Sequence, residues 1–414
     1  MGEHCAMNGN WKKNMILFVA SQTISLFGSS LVQYAIMWHI TLTTKSGVMM
    51  TVSIICGFLP TFFLSPFAGV WADRYSRKKL IILSDSLIAV TALVMAVLFW
   101  RGYDALWLLF VMSAMRALGT AVQTPAIAAL LPQLVPADKL TKVNAINGSA
   151  QSAVMLLSPM LSAALLTSST IETIFLIDVI TAAIAVSIML MFVHVPVHAK
   201  ALNKQTVSYF SDLRAGFAYI KHHSFVKTFF LFNAVFLLFV APVAFLTPLQ
   251  VTRSFGEDVW RLTAVEITFS VGMMIGGVVM AAWGGFKNKV HSMALSNLVI
   301  GSCTVALGVV PIFWIYLIFM SLIGVVLPVF NTPFTVLLQQ RVEPNFLGRV
   351  FGVVGMISSI MMPLGMLVFG PLADYIRIEW LLIFTGLLML VQGMVMLGNR
   401  VLIEAGKPMP KPEA

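Results

Sequence analysis

Arg116, Asp178, Asp85 and Glu266 are ionisable residues in or near long apolar stretches. Arg116 lies about eleven residues into its stretch, roughly 16 Å from the start at ~1.5 Å per residue. An ionised side chain in hydrocarbon is expensive, and it usually faces a partner or a water-filled path. Burial favours a neutral carboxyl and a neighbouring guanidinium favours the carboxylate, so a carboxyl exposed to each side of a membrane in turn can load and release a proton. Arg116, Asp178, Asp85 and Glu266 are therefore the candidate proton-coupling residues. Three of them have competing structural roles. Arg116 could form a fixed ion pair, though the functional role is favoured, and Asp85 could brace Arg77, which is its favoured reading. Ser169-Thr-Ile-Glu172 and Thr263-Ala-Val-Glu266 both fit a capping box at a helix start.

Enzyme chemistry finds no support. There is no Ser-His-Asp arrangement or phosphate loop, and the adjacent His222 and His223 cannot face one site on a helix. Cys5, Cys56 and Cys303 are far apart and have no metal spacing. No cofactor or metal is expected, and without a nucleotide loop the energy for work must come from an ion gradient.

The elements that position these residues follow from composition. The 414 residues are 59% hydrophobic and 10% charged, with a mean hydropathy of +0.93, whereas soluble domains carry roughly 25% charged residues. A spanning helix needs ~20 apolar residues, and the runs from Met15 to Gly398 give room for about twelve. The expected fold is an all-α membrane protein of twelve spans. The net charge of +10 is not a nucleic-acid patch, because most of the basic residues fall in alternate connections: Lys12, Lys13, Arg74, Arg77, Lys78, Lys79, Lys139 and Lys142 belong to one set, while Lys45, Arg101, Arg253, Arg261 and Arg377 belong to the sparser other. The positive-inside rule then places both termini in the cytoplasm. The first run lacks the short core and cleavage site of a secretory signal, so no cleavage is expected.

The polar stretch His194 to Ser224 divides the spans six and six: residues 1–193 form one bundle, 194–224 a cytoplasmic linker and 225–414 a second bundle with a short tail. Within the linker Phe210, Leu213, Phe217 and Ile220 have the spacing of an interfacial amphipathic helix. The halves echo each other. Met112-Ser113, Gln123-Thr124-Pro125 and Pro136 recur as Met320-Ser321, Asn331-Thr332-Pro333 and Pro344, and Ile171-Glu172 recurs as Ile378-Glu379. Duplicated halves are a transporter architecture with the substrate site near the midplane.

Gly69-Val-Trp-Ala-Asp73-Arg74-Tyr-Ser76-Arg77-Lys78-Lys79 resembles the GxxxDRxGRK signature of the major facilitator superfamily, with Ser76 in place of a glycine. Arg116-Ala-Leu-Gly119 resembles the family's fourth-helix element, its glycine one place early. Val154-Met-Leu-Leu-Ser158-Pro159-Met-Leu-Ser162-Ala163 keeps the proline, but not the glycines, of the fifth-helix motif of drug and proton antiporters. With Gly57-Phe-Leu-Pro60, Thr124-Pro125-Ala126, Leu134-Val-Pro136 and Phe175-Leu-Ile-Asp178, the whole chain is similar to the macrolide-efflux branch of those antiporters.

That resemblance implies the major facilitator fold in two six-helix pseudo-repeats, a monomer in the cytoplasmic (cell inner) membrane, and export by alternating access. It assigns Gly69, Asp73, Arg74, Arg77 and Lys78 a conformational role, bracing the halves. Gln33, Tyr34, Arg116, Asn233, Phe236 and Met320 fall on helices that line the cavity in this family and are the candidate substrate contacts. The 26 Met and 30 Phe suit an adaptable apolar site. The expected function is proton-driven efflux of hydrophobic or amphiphilic drugs of macrolide or multidrug type, so the partners are a small molecule, protons and the lipid bilayer. The alternatives are export of a siderophore or other native metabolite, and a transporter-like receptor or scaffold.

Overall fold

The computed structural model of the chain describes residues 11–136, 139–193, 218–343 and 346–408, and no strand occurs among them. Helix is what a hydrocarbon solvent requires, because backbone N–H and C=O groups facing lipid have no water to bond and a helix satisfies them internally. The elements are α1 (Trp11–Thr44), α2 (Gly47–Arg74), α3 (Arg77–Trp100), α4 (Leu106–Leu134), α5 (Leu140–Ser168), α6 (Ile171–Met191), α7 (Ser224–Phe245), α8 (Thr247–Ser254), α9 (Val259–Trp283), α10 (Lys289–Val309), α11 (Phe313–Arg341), α12 (Leu347–Tyr375), α13 (Ile378–Gly398) and α14 (Arg400–Ala405). Among the described residues, twelve helical stretches are long and apolar enough to cross a membrane. Large apolar side chains such as Leu83, Val278 and Ile318 are left exposed along them, as lipid-facing surfaces require. The linker segment expected to be amphipathic, around Phe210, Leu213 and Phe217, lies outside the described residues.

Two expectations are corrected at helix starts. α6 begins at Ile171 with Thr170 as its N-cap and no side-chain capping bond, and the Ser169 hydroxyl donates backward to Leu165 O at 2.7 Å. α9 begins at Val259, and Thr263 donates to Val259 O at 3.0 Å. Neither capping box forms, and Glu266 lies about two turns inside α9. The seventh apolar run is also divided: Pro248 has no N–H for the carbonyl of Ala244, and the chain breaks at Leu246 between α7 and α8.

The chain forms two compact units, residues 1–40 with 52–206 and residues 41–51 with 207–414. In the first, Phe18 of α1, Ile81 of α3, Leu130 of α4 and Met189 of α6 share one buried cluster. In the second, α9 and α11 meet backbone to backbone. A Cβ on Gly276 would lie 2.1 Å from Val325 O, and one on Gly324 would lie 2.3 Å from Phe269 O. Small residues that let backbones approach are how helices associate where lipid is as apolar as the side chains.

Candidate functional site

The first unit holds a buried ion pair. Arg116 on α4 and Asp178 on α6 meet with Nη1 and Oδ2 2.5 Å apart, their side chains 7% and 0% exposed. Taking two charges out of water is costly, and the attraction offsets that cost only when further hydrogen bonds satisfy both groups. Here α1 supplies them. Arg116 Nη2 donates to Ser29 O at 2.9 Å, and Ser29 Oγ donates to Asp178 Oδ1 at 3.3 Å.

Asp85 on α3 is 1% exposed and does not brace Arg77. Its Oδ1 accepts from Ser25 Oγ and from Gln123 Nε2, each at 2.7 Å, while its Oδ2 accepts no hydrogen bond. The Gln22 side chain is also buried with both polar atoms unsatisfied; one turn before Ser25, it shares that face of α1. Arg77 turns elsewhere, donating to Ala72 O at 3.0 Å and Ala129 O at 2.7 Å. The sequence reading missed Gln22, Ser25, Ser29 and Gln123. The first three recur at three- and four-residue spacing along α1, and that polar stripe is a legible signal.

The second unit carries neutral residues at the equivalent places. The internal repeat pairs Arg116 with Gly324 and Asp178 with Thr385, and Leu83-Ser84-Asp85 on the third helix of one unit is matched by Leu295-Ser296-Asn297 on that of the other. Thr385 donates to Leu381 O within its own helix, and Asn297 donates to Gln392. The buried charge therefore belongs to the first unit, while its counterpart Gly324 serves close packing.

What the second unit offers is a cavity of about 340 Å³ with mostly apolar walls from α7, α9, α11 and α12. Phe236, Phe269, Met320 and Met362 line it, with Glu266 and Asn331 among its polar groups. Phe236 stacks on Phe330 with centroids 4.5 Å apart, so the ring in the wall is backed by a second ring. Two expected substrate contacts, Phe236 and Met320, thus converge with Glu266, which was expected to handle protons. Asn233 is buried one turn before Phe236 and does not line the cavity. Gln33 and Tyr34 are on α1 in the first unit, Gln33 exposed and Tyr34 against Trp38 at 5.5 Å between centroids.

Of the expected conformational residues, Gly69, Asp73 and Arg74 end α2, and their side-chain surroundings lie outside the description. Lys78 donates to Val193 O at 2.8 Å and to Leu190 O at 3.3 Å. A cation there complements the negative end of α6, so Arg77 and Lys78 tie together helix ends within the first unit.

Membrane-spanning helices in two related units, with a buried ion pair inside one and a ligand-sized, mostly apolar cavity inside the other, define a polytopic transporter. Residues 15–366 match the Major Facilitator Superfamily, and the chain belongs to that family. It is similar to macrolide efflux protein A of Streptococcus pyogenes, 29% identical over 92% of this chain and 94% of that protein. It also resembles the staphyloferrin A transporter of Staphylococcus aureus, at 24% identity over 86% of this chain and 89% of that one. Among solved structures, a mutant of the nucleoside transporter NupG superposes with a TM-score of 0.72 at 15% identity, covering 94% of this chain and 99% of that chain. A bacterial homologue of the iron transporter ferroportin gives 0.71 at 13%, with the same coverage. The fold is that of the superfamily, and its members named here are transporters.

Proposed function

We propose that this protein exports hydrophobic or amphiphilic drugs, macrolide-like among them, across the cytoplasmic membrane by proton antiport with alternating access, both termini lying in the cytoplasm. The observation that carries the proposal is the asymmetry between the units: a buried Arg–Asp ion pair in the first, a mostly apolar cavity with a single carboxyl among its described lining in the second. The resemblance to macrolide efflux protein A over nearly the whole chain supports the substrate class.

In this mechanism the two carboxyls have different tasks. Asp178 is committed to Arg116, and the pair holds α4, α6 and α1 in register. Asp85 has an oxygen with no donor, and a proton on that oxygen turns an unsatisfied acceptor into a donor. Asp85 is thus the group that takes up and gives up the coupled proton. Glu266 lies in the cavity wall and favours neutral or cationic amphiphiles over anions, since an anion would meet a like charge.

Export of a siderophore is the second reading, supported by the staphyloferrin A transporter relative. The cavity disfavours it, because its described lining has a carboxylate and no Lys or Arg. The test is accumulation of erythromycin, ethidium and a catecholate siderophore in cells expressing the protein, with and without a protonophore. Protonophore-sensitive extrusion of the first two is expected, lost in Asp85→Asn. Siderophore extrusion alone would establish the second reading. Extrusion that a protonophore leaves intact would rule out proton antiport, and a neutral Arg116 variant with full energised efflux would end that residue's part in the mechanism.

A further inference from the structure

The chain leaves the first unit after Ile40 and rejoins it at Val52; between them the α1–α2 turn belongs to the second unit. The turn is tight, with only Lys45 and Ser46 between the helices, and Lys45 takes a left-handed conformation at φ 49°. A branchless glycine is the usual occupant of that region, so a lysine there needs outside support.

Asp374 supplies it. One carboxylate oxygen accepts from Gly47 N at 2.6 Å and from Arg253 Nη2 at 2.9 Å; the other accepts from Ser46 Oγ at 2.7 Å and Val48 N at 3.0 Å. The carboxylate thus caps the first turn of α2, where free N–H groups and the helix dipole favour an anion. Arg253 also donates to Lys45 O and to Ala373 O, each at 2.5 Å, and the Lys45 ammonium pairs with Glu257. Below the clamp α2 and α12 touch closely: a Cβ on Gly47 would lie 2.1 Å from Gly370 O, and Thr51 Oγ1 donates to Met366 O at 3.1 Å.

The sequence around this clamp repeats one met earlier. Gly370-Pro-Leu-Ala373-Asp374 ends α12 as Gly69-Val-Trp-Ala72-Asp73 ends α2, the aspartate being the penultimate residue of each helix.

We propose that Asp374 and Arg253 form a releasable latch on the α1–α2 turn, a positioning device for transport. The clamp's own contacts are polar ones to a partly exposed carboxylate or guanidinium, which water can replace, whereas the seam beneath is a small-residue contact with one buried hydrogen bond, from Thr51 to Met366 O, that can part and re-form. Loss of the carboxylate charge removes two backbone caps and the Arg253 pair together and frees the turn.

The test uses Met50, which is 3% exposed, as Met50→Cys in a background with Cys5, Cys56 and Cys303 replaced by Ala. In detergent-purified protein a hydrophilic maleimide labels this thiol only when the turn leaves the second unit. Asp374→Asn and Arg253→Gln are expected to label at least about tenfold faster than the parent, with Asp374→Glu close to the parent; equal rates in folded variants overturn the latch. A second measurement leaves Asp374 and Arg253 in place: Lys45→Cys with Glu257→Cys, joined by a bifunctional thiol crosslinker, is expected to lose transport and regain it when a reducible linker is cleaved, and undiminished transport while crosslinked overturns the proposal. The labelling arm requires no substrate, so it stands whether or not drug efflux is the activity.

Discussion

Removing the Arg116–Asp178 pair one partner at a time separates its stability from its use. Arg116→Met leaves Asp178, with a side chain 0% exposed, holding only the 3.3 Å bond from Ser29. A buried charge stripped of its partner keeps its desolvation cost and loses its attraction, about 3–5 kcal/mol. Asp178→Asn retains an acceptor for the guanidinium and for Ser29, so its cost falls at the lower end, about 3 kcal/mol. Arg116→Met with Asp178→Leu removes both charges, and replacing a buried pair by apolar residues is often neutral or better. The double variant is expected within about 1 kcal/mol of the parent, so removing the second charge recovers at least about 2 kcal/mol of the Arg116→Met loss. Thermal unfolding in detergent micelles ranks the four proteins, and energised efflux is measured on the same four. A double variant as unstable as Arg116→Met alone would refute the account of the pair as two mutually compensating charges. A double variant as stable as the parent yet without efflux would show that the pair serves transport and is not needed for folding.

Three further outcomes follow from the geometry. Gly276→Val drives a branched side chain at the Val325 carbonyl, 2.1 Å from the ideal Cβ, and is expected to destabilise by at least about 1–3 kcal/mol; Gly277→Ala, with nothing within 4 Å of its Cβ, is the neutral control in the same unfolding assay. Met320→Trp takes up part of the roughly 340 Å³ cavity and is expected to abolish efflux of the largest substrate while ethidium efflux persists, read as a change in the resistance profile. Lys78→Ala removes the ammonium that makes both hydrogen bonds to the end of α6, and the expected cost of about 1 kcal/mol or less is seen as faster hydrogen exchange near Met191 with no change elsewhere.

The sequence by itself determined the solvent, the helix count and the family. Long apolar runs can satisfy their backbone in lipid only as helices, and the Gly69–Lys79 element together with the half-chain repeat is local text that needs no coordinates. It also marked Arg116 and Asp178 as costly, although nothing local joined residues on the fourth and sixth helices. Where sequence reasoning failed, the deciding contact was distant. The capping boxes at Ser169 and Thr263 are correct as patterns, but α9 already starts at Val259, so Glu266 lies inside the helix and in a cavity wall. Asp85 was matched to Arg77 by nearness in sequence, yet Ser25 and Gln123 reach it from other helices at 2.7 Å. The latch at Asp374 depends on Ser46, Gly47 and Val48, more than three hundred residues away. Composition and short motifs report the environment a segment needs, since burial and backbone satisfaction are properties of the segment. Which polar groups meet inside that environment is set by helix packing, and only the tertiary structure decides it.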